Sequence, residues 1–179
     1  MKTLAMCVAV SGLVGCASPH GLHYTLLLDT SLAPDQVEQV MQSGQAWETA
    51  IPFLRLDYQV TSCHNWLYRE HTVCLFWDTG SPPEDPVYHV LPEATTNWDN
   101  LESYDAVGAD SATIHLWQQV LIHHETTYNF RNVVSHELGH AFTHRSSHLP
   151  SGHLMSAMAQ GKVLEQITPG DTDYFWSVR

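Results

Sequence analysis

Residues 135–158 read S-H-E-L-G-H-A-F-T-H-R-S-S-H-L-P-S-G-H-L-M-S-A-M and decide how the rest of the chain is interpreted. The stretch opens with an H-E-x-x-H motif that runs from His136 to His140. Residues four apart lie on one face of a helix, so both imidazoles can point at the same metal ion. Glu137 lies beside them, within reach of a water on that ion. The motif predicts a zinc site in which a carboxylate that is not a ligand acts as general base.

The residues around the motif predict a helix followed by a turn. Apolar residues at helical spacing, from Phe130 to Ala141, predict a helix over about 127–143. Small and polar residues come next, and the pair Leu154-Met155 follows them. This layout resembles the metzincin zinc peptidases, whose signature is H-E-x-x-H-x-x-G-x-x-H followed by a Met-turn. Within that clan, the phrase H-E-L-G-H-A-F is most similar to the matrix metalloproteinases.

The third metal ligand is the point at which the chain departs from that signature. The turn glycine and the third histidine of the family would fall at Thr143 and Ser146. His148 is the preferred replacement, because it lies beyond the expected helix break and seven residues before Met155. It requires a two-residue insertion in the turn. The alternatives remain open, and in order of preference they are His153, His144 and the more distant Glu165.

The resemblance implies a zinc-dependent endopeptidase. Zinc would be held by His136, His140 and His148, with a zinc-bound water as nucleophile and Glu137 as its base. Met155 would form the apolar floor beneath the imidazoles. The expected substrates are extracytoplasmic peptides or proteins. The alternative is a non-catalytic metal-binding or adhesion module on the same scaffold, although a pure binding site has no need of Glu137.

The first residues have the pattern of an export signal. Lys2 precedes an apolar run over residues 4–14 that is too short to span a bilayer, and the run ends in L-V-G-C at Cys16. This resembles a bacterial lipobox. The expected organisation is a signal peptide over residues 1–15, a tether over 16–21 and a catalytic domain over 22–179. A lipid on Cys16 would place the protein on the cell envelope; an ordinary signal peptide is the alternative.

Net charge indicates which partners the protein can bind, and the cysteine content indicates a disulfide. The formal net charge of −12 argues against binding to nucleic acid or to an anionic lipid surface. The lipid at Cys16 is therefore the one membrane attachment expected. Cys63 and Cys74 are the pair left after processing, and an exported chain favours a disulfide between them. A thiolate metal site that uses the nearby His64 and His71 is the alternative.

The remaining patterns predict an α+β fold. Strands are expected over residues 22–29, 53–60, 71–77 and 113–118, with a short edge strand at 105–109. Helices are expected from Pro34 to Ile51 and after the capping sequence that begins at Thr168. Four prolines predict a long surface loop over residues 79–100. This order resembles the metzincin domain, in which a twisted mixed sheet lies above the zinc helix and its antiparallel edge strand binds substrate.

Overall fold

The computed structural model describes residues 22–63, 71–81, 94–97, 111–118, 130–156 and 166–177. These ranges form a mixed α+β fold of five strands and three helices. Their bounds, in chain order, are β1 (Leu22–Leu28), α1 (Pro34–Ala50), β2 (Leu54–Val60), β3 (Thr72–Asp78), β4 (Ala94–Asn97), β5 (Ala112–Trp117), α2 (Phe130–Thr143) and α3 (Pro169–Trp176). The predicted α+β class is confirmed, and most of the predicted elements that fall in these ranges lie within a few residues of their expected bounds.

The five strands form one sheet in the order β2-β1-β3-β5-β4. The pairs β1–β2, β1–β3 and β3–β5 are parallel, and β4 pairs antiparallel with β5. Parallel neighbours need a crossover connection, which α1 supplies between β1 and β2. The sheet is therefore mixed, with an antiparallel strand at one edge, as the resemblance implied.

One face of the sheet carries the main hydrophobic core. In β1 the alternating residues Tyr24, Leu26 and Leu28 are fully buried against the helices. Successive strand residues point to opposite faces, so the intervening Leu27 faces the other way and packs with Cys63 and Cys74 in a smaller cluster. All three helices contribute to the main core, which places α2 beneath the sheet.

Helix α1 holds α2 in place through three contacts. The indole nitrogen of Trp47 donates a 2.9 Å hydrogen bond to the carbonyl of Ser135, and the Trp47 side chain is fully buried. The hydroxyl of Ser43 donates to the carbonyl of Arg131 at 3.1 Å. The Trp47 ring also packs edge-to-face on Phe142. These contacts hold both ends of α2, the helix that carries the H-E-x-x-H motif.

The prediction of a loop over residues 79–100 is wrong for residues 94–97. Ala94–Asn97 forms β4, which pairs with Leu116 to Thr113 of β5. The four residues have no apolar alternation, so the strand depends on backbone pairing to a distant partner rather than on local pattern. The expected edge strand at 105–109 lies outside the described residues. Within the described part of the chain, β4 is the antiparallel edge strand.

The predicted disulfide is confirmed. Cys63 and Cys74 are bonded, with a Cα–Cα distance of 6.0 Å, and they tie the segment after β2 to β3. The bridge lies on the face of the sheet opposite the helices, so it stabilises the sheet without contacting the motif helix. No helix in the described ranges has the length and apolar character needed to cross a bilayer.

Candidate metal centre

Two backbone carbonyls set the orientation of His136 and His140. The Nδ1 atom of His136 lies 2.7 Å from the carbonyl oxygen of Leu154, and that of His140 lies 2.5 Å from the carbonyl of Arg145. A carbonyl only accepts, so each Nδ1 carries the proton and donates. Each Nε2 therefore presents a lone pair, the arrangement that ligating histidines adopt.

His148 brings a third imidazole to the same point. Its Nε2 atom lies 3.2 Å from Nε2 of His140, which in turn lies 2.9 Å from Nε2 of His136. The rings of His136 and His148 stack, and the His140 ring stands nearly perpendicular to both. The three residues form a group that could hold a metal ion.

The geometry of these nitrogens fits a tetrahedral cation. Tetrahedral nitrogen ligands at 2.0–2.1 Å from zinc lie about 3.3 Å apart, close to the observed separations. Lone pairs aimed at each other at this distance repel unless a cation lies between them. Burial, together with the neighbouring His136 and His148, lowers the pKa of His140 to about 3. His140 is therefore neutral at pH 7, the state that binds a metal.

The end of helix α2 explains why His148, and not His144, joins the group. Helix α2 ends at Thr143, and His144 adopts a left-handed conformation with φ 54°. Such a residue commonly ends a helix, although glycine is more usual there. His144 thus takes, directly after Thr143, the left-handed conformation that reverses the chain at a helix end. The chain then reverses and delivers His148.

His153 has a packing role elsewhere. Its Nδ1 atom lies 2.7 Å from the hydroxyl of Thr168, at the start of α3. A side chain at Gly170 would collide with the His153 ring, because a Cβ there would lie 2.4 Å from its nearest carbon. His153 therefore packs against the N-terminal turn of α3 rather than with His136 and His140.

Tyr174 of α3 supports the turn that carries His148. Its hydroxyl donates a 2.6 Å hydrogen bond to the carbonyl of Ser147 and lies 2.9 Å from the Ser147 hydroxyl. The guanidinium of Arg145 lies 6.0 Å from the centre of the Tyr174 ring. Ser147, the residue before His148, and the side chain of Arg145 are thus both near one buried tyrosine.

Met155 lies beneath the motif helix. It is fully buried, and a Cβ at Gly139 would lie 2.3 Å from its sulfur, so this position of α2 requires glycine. The carboxylate of Asp171 accepts hydrogen bonds from the backbone amides of Leu154 and Met155, at 3.2 and 2.9 Å. The same carboxylate accepts from the amide of Thr168 at 2.8 Å. Asp171 thus caps α3 and anchors the turn that holds Met155.

Glu137 is a buried carboxylate with a neighbour from the sheet. Its side chain is only 7% exposed. The hydroxyl of Thr96 on β4 donates to Oε2 of Glu137 at 2.6 Å and lies 3.2 Å from the Glu137 carbonyl. The antiparallel edge strand β4 therefore contacts the carboxylate directly.

Other sequence candidates fall outside this site. Cys16, Glu165 and His64 lie beyond the described residues. His71, the other histidine of the alternative thiolate site, has φ 55° and makes an edge contact with Tyr24. Its partner cysteines form the disulfide, so no thiolate is available there.

Thr96, Tyr174 and Asp171 are the supporting residues that sequence reasoning missed. Tyr174 was expected only to bury its ring, and Asp171 only to cap a helix. A threonine in a proline-rich stretch has no local signal at all. Their roles come from contacts across 16 to 41 sequence positions.

No protein-family model matches this chain, and a search of curated proteins returned no match. The class of protein is therefore described from its fold and its site alone. It is a mixed α+β protein in which three histidines, two on a helix and one on the following turn, could hold a metal ion.

Proposed function

We propose that this chain is a zinc-dependent endopeptidase of the metzincin type, attached to the cell envelope by a lipid on Cys16. Its substrates would be extracytoplasmic peptides or proteins. The observation that carries the proposal is the convergence of three imidazole nitrogens beside a buried carboxylate that is not among them. The sequence resemblance and the position of Met155 under the helix support it further.

Zinc is the metal that this set of donors favours. A group of three histidines is typical of catalytic zinc sites, which keep one position for water or substrate. When bound, zinc would polarise the scissile carbonyl and lower the pKa of bound water toward 7. The carbonyls of Leu154 and Arg145 would keep two of the ligands in the required tautomer.

Glu137 would move the proton. As the residue that follows the first ligand on α2, it lies next to the metal rather than on the opposite helix face. It would accept the proton of the attacking water and donate it to the leaving amine. The hydrogen bond from Thr96 would hold the carboxylate in one orientation through both steps.

Strand β4 would bind the substrate backbone. It is the antiparallel one of the two edge strands in the described part of the sheet, and its residue Thr96 contacts Glu137. An extended peptide can add to such an edge through main-chain hydrogen bonds. A peptide paired with β4 would run directly past the general base.

The decisive experiment compares wild type with Glu137→Gln in a soluble Cys16→Ser background. Zinc content is measured first, and each protein is then tested on a mixed peptide library. Gln fills the same volume and can still accept from Thr96, so fold and zinc content should not change. Hydrolysis should fall by about 10²-fold or more, the usual weight of a general base.

Two results would contradict the proposal. If the zinc-loaded wild type cleaves no peptide, the chain is a metal-binding or adhesion module. If Glu137→Gln cleaves as fast as wild type, Glu137 is not the base and the assigned mechanism is wrong.

A further inference from the structure

Two of the exposed aromatic side chains lie together on the surface. Phe53 is 48% exposed and Trp176 is 44% exposed, and their ring centres are 6.5 Å apart in an edge-to-face arrangement. The remaining large apolar side chain exposed in the described ranges, Val60, lies at the far end of β2. Phe53 and Trp176 are called the aromatic patch below.

The chain enters the fold next to this patch. Leu22 is the first residue of β1, and it pairs in parallel register with Leu54 of β2. Phe53 directly precedes Leu54, so Leu22 lies beside the part of β2 that adjoins the aromatic patch. The tether expected from Cys16 to Gly21 therefore meets the folded part at this point.

The tether is short compared with the protein. Six residue steps from Cys16 to Leu22 reach about 21 Å at most when fully extended. A compact chain of this size has a diameter of about 40 Å. A lipid on Cys16 would keep the end of the sheet that carries Leu22 close to the bilayer, and the aromatic patch with it.

We propose that the aromatic patch lies in the headgroup region of the bilayer that holds the Cys16 lipid. This inference depends on the lipid anchor of the proposed function, but not on its hydrolytic activity. The amphipathic indole of a tryptophan such as Trp176 prefers the interface between lipid and water, and the adjacent apolar ring of Phe53 can lie beside it. The net charge of −12 disfavours anionic lipids, so the expected surface is zwitterionic.

Arg55 adds a cation beside the patch. Its side chain donates hydrogen bonds to the carbonyls of Pro52 at 3.1 Å and of Leu54 at 2.6 Å, on either side of Phe53. The guanidinium is thus held against the backbone on both sides of Phe53. From there it can contact lipid phosphates while the aromatic side chains lie among the headgroups.

This contact would orient the candidate metal centre. The patch adjoins β2 at one edge of the sheet, and β4, which contacts Glu137, forms the other edge. Four strand spacings separate them, about 19 Å. With β2 against the lipid, the β4 edge would face the aqueous phase and remain open to peptides.

The test uses the mature chain that begins at Cys16, coupled through that thiol to a maleimide-headgroup lipid in phosphatidylcholine vesicles. Cys63 and Cys74 are bonded to each other, so Cys16 is the reactive thiol of this form. The vesicles carry brominated acyl chains, which quench nearby tryptophan. Trp176→Phe is compared with Trp117→Phe, a matched substitution on β5 near the opposite edge.

Quenching of tryptophan emission is expected in wild type and in Trp117→Phe, and most of it should be lost in Trp176→Phe. Equal quenching in Trp176→Phe and wild type would overturn the proposal, as would no quenching in any of the three. Mass spectrometry of the N-terminal peptide that contains Cys16, from protein isolated from cell membranes, tests the lipid anchor separately. A cysteine without diacylglycerol would remove the basis of the proposal, whatever the outcome of the peptidase assay.

Discussion

The hydroxyl of Thr96 donates a 2.6 Å hydrogen bond to Oε2 of Glu137 and so joins the edge strand β4 to the motif helix. The two residues are 41 positions apart in sequence. Thr95, its neighbour on the strand, points to the opposite face, where it accepts a 3.2 Å hydrogen bond from the indole of Trp117. Of these two neighbouring threonines, Thr96 contacts the carboxylate of the site and Thr95 contacts Trp117.

Thr96→Val should lower kcat by about 10-fold or more, because a hydrogen bond to a charged group is worth roughly 1.5–3 kcal/mol. Valine keeps the volume of threonine but cannot donate, so the Glu137 carboxylate loses its orientation. Zinc content should not change, and Thr96→Ser should restore most of kcat. The measurement is kcat and KM on a cleaved peptide, with metal analysis of each variant.

Thr95→Val is the matched control on the same strand. It removes a hydroxyl that faces away from the site, so kcat should remain near the wild-type value. An equal fall of kcat in Thr95→Val and Thr96→Val would show that the strand, rather than the Thr96 hydroxyl, is what matters.

His148→Ala should lower zinc content as much as His140→Ala does. Both remove a nitrogen from the group of three, whereas His153 and His144 lie outside it. The expected result is near-complete zinc in His153→Ala and His144→Ala, measured by atomic emission after dialysis. Full occupancy in His148→Ala together with loss in either of the other variants would mean that the turn is wrongly assigned.

Tyr174→Phe should weaken zinc binding by about 10-fold, the lower end for groups that orient a ligand. The change removes the hydroxyl that holds the Ser147 carbonyl, so the turn carrying His148 becomes less fixed. Competition with a chromophoric chelator measures the affinity. Tyr58→Phe is the control, because its hydroxyl lies 3.4 Å from the Met41 carbonyl, away from the site. An unchanged affinity in Tyr174→Phe would deny the hydroxyl this role.

Replacing both Cys63 and Cys74 by Ser should reduce the free energy of unfolding by about 2–3 kcal/mol, the value for a short closed loop. The bridge lies on the face of the sheet opposite the helices, so zinc content should stay the same. Urea unfolding of the metal-loaded protein measures the first effect. A loss of zinc in the folded double variant would show that the two faces of the sheet are coupled.

Local pattern was enough to predict most elements. Pro34 and the Thr168 capping sequence mark the starts of α1 and α3, because proline suits the first turn and a threonine side chain can satisfy a free amide. Alternation of apolar residues predicts β2 because only one of its faces is buried. These signals act between residues a few positions apart, so they can be recognised without a structure.

Strand β4 could not be predicted in this way. Ala94–Asn97 follows a proline-rich stretch and has no apolar alternation. Its extended conformation is stabilised by backbone hydrogen bonds to β5, whose position depends on how the whole sheet assembles. The contact between Thr96 and Glu137 depends on that strand, and was hidden for the same reason.

The sequence by itself determined that His136 and His140 share a helix face with Glu137 between them, since 3.6 residues per turn require it. It also places Met155 seven residues after His148 along the chain. Only the tertiary structure decided which later histidine joins the first two. The left-handed residue His144 ends the helix, and Tyr174 and Asp171 of α3 hold the turns that carry His148 and Met155. Such contacts depend on the packing of a distant helix, which local spacing does not encode.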